Sequence, residues 1–492
     1  MNETTFLWHD YETFGVNPRR DRPAQFAAIR TDAALNEIDK PLMVYCQPAN
    51  DFLPEPEACL ITGITPQWCL EKGVPEHAFA AVIERELSQP GTVGVGYNTI
   101  RFDDEVTRFM FWRNLIDPYA REWQNNCGRW DLLDVVRMAY ALRPEGIVWP
   151  KKTDEHGKDG ALKPSFKLTD LTAANGLAHE SAHDALSDVR ATIALARLIR
   201  THNAKLWDFC FALHKKERVA QELGMPVSPQ HAKPFLHVSG MFPPERGCLA
   251  VMWPLATHPV NKNEIIAWDL SAPDGDPAQL ATLNVDEIRQ RMFSRADDLR
   301  EGVRRLPIKT VHLNKSPMVV GNLKTLTPAQ AATWGVDIDA ALRRAQTARE
   351  LPDMSALWPK VFAREPQGPV DVDEDLYGGF IGNADRKRLN DLRKLDGPQL
   401  AKARNAFDDK RLEELVFRYR ARNFPASLAL QEMVRWNEHR AARLFHGQGG
   451  QGFKTIDSYF GEIDRLSETV DERGEAILGT LYDWAQMIAP DR

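Results

Sequence analysis

The chain opens on a run of apolar and aromatic side chains that ends at a glycine, Phe6-Leu7-Trp8-His9-Asp10-Tyr11-Glu12-Thr13-Phe14-Gly15, and this predicts a strand. Successive strand side chains point to opposite faces, so Asp10 and Glu12 leave the same face. Gln25 to Arg30 and Leu42 to Cys46 read as the next two strands, giving an initial meander. From Glu76 to Leu87 the apolar residues recur at helical spacing. Thr92 to Asn98 reads as a strand whose glycines let something pack closely on it. It runs into Arg101-Phe102-Asp103-Asp104 and a helix from Glu105 to Leu115, so Asp103 falls at a strand-to-helix junction, where open α/β sheets tend to hold ligands.

Further helices are predicted over Trp130 to Leu142, entered through Asp131 and closed by Arg143-Pro144-Glu145-Gly146, and over a short stretch ended by Asn175-Gly176. Lys151 to Lys163 is polar, contains glycine and lacks periodicity, so it reads as a surface loop. His183-Asp184-Ala185-Leu186-Ser187-Asp188 leads a long helix through Ile199. The alternation of strands and helices makes residues 1–200 an α/β domain. Residues 201–355 carry strand-like runs at 235–239, 249–253, 264–270 and 308–313 between Pro, Gly and Asn turns, which predicts a β-rich domain. Residues 356–492 read as a C-terminal helical domain, in which helical periodicity dominates beyond a Pro-rich connection near 365–372. There Arg411, Arg418 and Arg422 fall at seven- and four-residue spacing on one helix face, and such a stripe reads as a solvated outer face.

Composition narrows the class. At 492 residues, 43% hydrophobic and 27% charged, the chain is globular and long enough for about three domains. Its net charge of −7 excludes a globally basic nucleic-acid binder but leaves room for a local basic groove. No apolar run of about 18 residues exists, so no membrane span is expected. Cys46, Cys59, Cys69, Cys127, Cys210 and Cys248 are scattered without zinc spacing, which reads as reduced, buried thiols in a cytoplasmic protein.

Two carboxylates held side by side repel unless a proton or a cation neutralises them, and Mg²⁺ prefers carboxylate oxygen. Asp10-x-Glu12 alone reads equally as half of a metal site or as two solvated acids on a strand edge. Taken in order with Tyr97-Asn98-x-x-Arg101-Phe102-Asp103 and His183-Asp184-x-x-x-Asp188, the pair resembles the DEDDh superfamily of 3′-to-5′ exonucleases. The likeness extends to bacterial exonuclease I through Trp8 to Gly15, Asp21 to Asp32, Leu60 to Pro66, Arg101 to Arg108, Ala141 to Gly146, His237 to Phe242 and Tyr419 to Pro425, and so spans nearly the whole chain.

That resemblance implies a ribonuclease-H-like exonuclease domain, an SH3-like β-rich domain and a C-terminal helical domain that closes around a single strand of DNA. It implies two Mg²⁺ ions on Asp10, Glu12, Asp103 and Asp188, with His183 taking the proton from the attacking water. Glu12, Thr13 and Phe14 would meet the terminal nucleotide by the same analogy, although Phe14 reads equally as core. Lys167 stands where the family usually has an arginine on the substrate phosphate, and lysine lacks the bidentate fork. Asp104 and Asp184 should point elsewhere, Asp184 as a helix-start acid, while Asp131 and Asp134 read as caps or supporting partners. The family's partner is the acidic C-terminal tail of the single-stranded-DNA-binding protein, for which Arg143 is the candidate; Arg143 reads equally as a helix-end residue satisfying carbonyls. A monomer is expected. An exoribonuclease and a non-catalytic binding scaffold are the competing readings.

Overall fold

The computed structural model describes residues 4–153, 160, 162–178, 184–227, 231–363, 368, 370–404, 406–447 and 453–490. Proximity along the backbone groups the chain into two units, the first made of residues 1–128, 179–190 and 367–492, the second of 129–178 and 191–366.

The first unit is built on β1 (Thr5–Thr13), β2 (Pro23–Thr31), β3 (Leu42–Tyr45) and β4 (Thr92–Gly96), in the spatial order β3-β2-β1-β4. The meander is antiparallel, and β4 joins β1 in parallel. All nine residues of β2 are buried, as a strand covered on both faces requires. Leu7, Tyr11, Phe26 and Ala28 share one sheet face and pack on Phe79, Ala80, Ile83 and Leu87 of the helix Glu76–Leu87 and on Val106, Met110 and Phe111 of the helix Asp103–Arg113. The glycines of β4 serve the close approach expected of them: a Cβ on Gly96 would stand 2.6 Å from the His9 carbonyl oxygen.

The C-terminal helices complete this unit. Those at Ile456–Ser467 and Glu472–Ile488 bury Tyr459, Ile463, Leu478 and Leu481 against Phe14, Phe52 and Ile64. Leu412, Leu415, Val416 and Tyr419 of the helix Arg411–Asn423 pack on Phe109 and Trp112. The arginine stripe is not a solvated face: Arg418 and Arg422 turn inward, where Asp51, Asp371 and Asp373 receive them.

β5 (Gly128–Asp131) carries the chain into the second unit. Trp130 and Asp131, expected in a helix, are strand, and the helix runs Leu132–Leu142 with Asp131 as its cap, its carboxylate accepting from the Leu133 N–H at 3.0 Å. The expected loop at 151–163 is bounded by a short antiparallel pair, β6 (Lys151–Thr153) and β7 (Leu162–Pro164). The main sheet of this unit comprises β8 (Phe235–Val238), β9 (Leu249–Thr257), β10 (Glu264–Asp269), β11 (Ile308–His312) and β12 (Met318–Val320), antiparallel throughout in the order β11-β10-β9-β8-β12. β12 went unread in the sequence because three residues carry too little pattern. All six cysteines are free and buried. No helix among the described residues is long and apolar enough to cross a membrane.

Candidate active site

Asp10 and Glu12 sit at the end of β1 opposite Ala27 and Gln25, on the sheet face away from Leu7 and Tyr11. The pairing shifts between Glu12 and Thr13, a bulge that kinks the strand beside the two acids. The helix Asp103–Arg113 starts two residues before its expected first residue, because three acids in its first turn suit the positive end of the helix dipole. Asp103 is thereby fixed against β1: its carboxylate accepts from the Tyr11 N–H at 3.2 Å. Tyr11 locks the same helix through its hydroxyl, 2.9 Å from Thr107 Oγ1, which donates to the Asp103 carbonyl at 2.8 Å. Asp188 comes from the first turn of the helix Ala185–His202.

One carboxylate oxygen each from Asp10, Glu12 and Asp188 lie within 4.8 Å of one another. Burial, then the charges of Asp103, Glu12, Asp188 and Asp184, hold the Asp10 carboxyl well above the ordinary aspartate range. Burial and then Asp188, Asp103 and Asp184 push Glu12 up to about 8. A cluster of acids in a poorly solvated place is stable only with protons or with cations. Hard oxygen donors converging in this way suit a divalent cation of the Mg²⁺ type. The donor set therefore fits a divalent cation.

The neighbouring groups sort themselves. Asp104 points away into a buried pair with Arg121 at 2.5 Å. Asp184 caps its helix, accepting from the Ser187 N–H at 3.1 Å, yet it also adds to the field on Asp10 and Glu12; the sequence reading missed this second role, although its four-residue spacing from Asp188 signals a shared helix face. His9 is buried and neutral, its pKa lowered to about 4 by burial and by Arg121, and it projects from the face opposite Asp10. His183 lies outside the described residues.

Thr13 donates its hydroxyl to the Gly15 carbonyl at 2.6 Å, closing the turn after the acids. Phe14 is 1% exposed in the core with Phe52, so its ring has no face open to a base. In the second unit, Lys167 is exposed at the start of the helix Leu168–Ala174. Arg143, at the end of the helix Leu132–Leu142, donates to the Leu142 carbonyl and, at 3.5 Å, to that of Thr325. Asp134 pairs with Arg137 at 2.8 Å.

An α/β sheet with clustered carboxylates at a strand end, a separate antiparallel β sheet and C-terminal helices defines an exonuclease of the ribonuclease-H-like type with two accessory domains. Family models agree, matching an exonuclease domain at residues 7–196, an exonuclease I SH3-like domain at 214–364 and an exonuclease I C-terminal domain at 370–488. The chain is 44% identical over 490 residues to exodeoxyribonuclease I of Escherichia coli K12, covering 99% of this chain and 98% of that one. A solved, moderately thermophilic exonuclease I from Methylocaldum szegediense superposes with a TM-score of 0.90 at 44% identity, over 99% of this chain and all of the other (100%). The zinc-bound complex of E. coli exonuclease I with single-stranded DNA gives 0.89 at 42% identity, with the same coverage of 99% and 100%. The chain belongs to the bacterial exonuclease I family, within the DEDDh 3′-to-5′ exonucleases.

Proposed function

We propose that this chain is a divalent-metal-dependent exonuclease that removes 5′-mononucleotides from the 3′ end of single-stranded DNA, as part of DNA repair. The convergence of Asp10, Glu12 and Asp188 within 4.8 Å carries this reading, in a chain that follows exodeoxyribonuclease I over nearly its full length. With Asp103 they would hold two Mg²⁺ ions, which when bound supply an activated water and neutralise charge on the leaving 3′ oxygen. The chain's own part is geometric: the ladder between β1 and β2 fixes the two strand acids, and the Tyr11 N–H holds Asp103. His183 is assigned as the base that takes the proton from water, since an imidazole titrates near neutral pH. Glu12 and Thr13 are assigned to the terminal nucleotide. Phe14 shapes that place from beneath the turn, as its buried ring dictates. Lys167 would meet the phosphate as a point charge.

The proposal extends to partners, location and organisation. A solved complex of SSB and exonuclease I with the inhibitor CFAM, 42% identical and with a TM-score of 0.86, supports SSB as a partner here; we assign the docking to its acidic C-terminal tail, with Arg143 as the facing residue. We assign the chain to the cytoplasm as a monomer, with domains at 1–200, 201–355 and 356–492. A 5′-labelled single-stranded DNA, its duplex and its RNA counterpart test the central claim. The expected result is a descending ladder from the 3′ end of the single-stranded DNA alone, abolished by EDTA. Faster loss of the RNA would replace the substrate with RNA, and tight binding without cleavage would replace the enzyme with a scaffold. Arg143→Ala should weaken binding of the tail peptide; unchanged affinity removes that residue from the interface.

A further inference from the structure

We propose that Gln25 is a positioning residue for the metal-binding acids, acting through the helix that carries Asp188; the inference rests on the exonuclease reading above. Gln25 lies opposite Glu12 on one side and opposite Tyr45 on the other. Directly paired residues of antiparallel strands project to the same face, so Glu12, Gln25 and Tyr45 form one row across the acid-bearing face, with strands about 4.8 Å apart. Gln25 is only 2% exposed, and both ends of its amide are engaged. Its Oε1 accepts from the backbone N–H of Ala185 at 3.4 Å, and its Nε2 donates to the Tyr45 hydroxyl at 3.0 Å. Because a backbone N–H can only donate, the orientation of the amide is determined.

Ala185 is the first residue of the helix Ala185–His202, and an N–H in the first turn has no partner within its own helix. This one is buried, so a missing acceptor would be costly. Gln25 supplies the acceptor from β2, the strand paired with the one that carries Asp10 and Glu12. Three residues beyond Ala185 stands Asp188, whose carboxylate lies within 4.8 Å of both strand acids. One side chain therefore couples the sheet that holds two of the acids to the helix that holds the third. Tyr45, which steadies the far end of Gln25, is itself held edge-on by Trp68 with ring centroids 6.1 Å apart. Asparagine would be a methylene short of this span. Glutamate could still accept from Ala185, but it would lose the bond it donates to Tyr45 and place another negative charge beside a cluster already overloaded with them.

Groups that orient metal ligands without touching the metal typically change affinity or activity by about 10–100-fold when removed. The test titrates Mn²⁺ into the full chain without DNA, following the free ion by electron paramagnetic resonance, and pairs this with steady-state kinetics on single-stranded DNA. Gln25→Leu should raise the Kd for Mn²⁺ about 10-fold and lower kcat by about 10–100-fold with KM for DNA unchanged, the kcat loss shrinking as Mn²⁺ is raised. A folded Gln25→Leu protein with wild-type Mn²⁺ affinity overturns the proposal. If that variant does not fold, Tyr45→Phe decides: it keeps the ring and leaves the Gln25 amide nitrogen only its 3.2 Å bond to the Met43 sulfur, and it should weaken Mn²⁺ binding by less than the roughly 10-fold expected of Gln25→Leu. Unchanged affinity in Tyr45→Phe then overturns it. Wild-type protein that binds Mn²⁺ but degrades no single-stranded DNA would sink the exonuclease reading and leave the role of Gln25 to be judged on the Mn²⁺ titrations alone.

Discussion

Two groups of aspartates in the first unit face opposite fates. Around Asp10, carboxylates face carboxylates, and burial followed by like charge lifts the pKa. Asp51 and Asp373 are more deeply buried still, but each sits among guanidinium groups. Asp51 meets Arg422 at 2.7 Å and Arg443 at 3.0 Å; Asp373 meets Arg422 at 2.5 Å, Arg418 at 3.2 Å and Arg22 at 3.6 Å. Burial alone would raise both, yet Arg422 and its neighbours override it and hold both carboxyls well below the aspartate range. The same residue type thus serves a structural role where the chain supplies the cations. Where carboxylates meet one another instead, it offers oxygen donors suited to a divalent cation.

Substitution should separate the two groups most sharply. Asp10→Ala is expected to reduce nuclease turnover by at least ~10³-fold, since metal ions contribute several kcal/mol of transition-state stabilisation. It should leave metal-free stability unchanged or raised, because a repelling charge is gone. Asp373→Ala should do the reverse, costing about 3–5 kcal/mol of stability by leaving buried arginines uncompensated. Denaturant melts of both variants in EDTA check this, and a loss of stability in both would dissolve the contrast.

The two groups also differ in pH dependence. Glu12 has its folded pKa raised to about 8, so in metal-free protein it binds its proton more tightly when folded, and stability falls as pH rises from the unfolded value toward 8. Asp51 and Asp373 have lowered folded values, so their contribution is complete above the unfolded aspartate pKa and is lost as pH falls through the folded one. A divalent cation bound at the cluster would replace the proton on Glu12. The gain in Tm on adding Mg²⁺ should therefore be larger near pH 8 than near pH 5.5, with proton release on binding near neutral pH. An equal gain at both pH values would place the cation elsewhere.

Much of the acid site was legible because its determinants are local. Strand periodicity put Asp10 and Glu12 on one face, and the apolar run of β4 followed by three acids put Asp103 at a junction. The switch from strand to helix at Asp131 was misplaced because four residues, Gly128 to Asp131, carry too little pattern to be separated from the helix that follows. Gln25 was read as strand, but its role depends on Ala185, 160 positions away. Arg422 was misread for the same kind of reason: helical spacing gives a shared face but not where that face looks, and its partner Asp51 lies 371 positions distant.

The stripe itself supplies the finest test. Along one helix, the side-chain exposure of Arg411, Arg418 and Arg422 falls from 21% to 10% to 3%. Arg411 pairs with Asp409 at 2.7 Å and Asp375 at 3.1 Å where water can still replace it, so Arg411→Ala should cost only about 0.5–1 kcal/mol. Arg422→Ala strips two buried aspartates of their shared cation and should cost several times more, with Arg418→Ala between them. A graded series in that order, measured by denaturant melts, would show that burial rather than the number of ion pairs sets what each arginine contributes. Equal losses along the stripe would mean that the pairs act as one cooperative network, and the sharp division between arginine-paired and clustered aspartates would then have to be drawn around the whole network rather than around each residue.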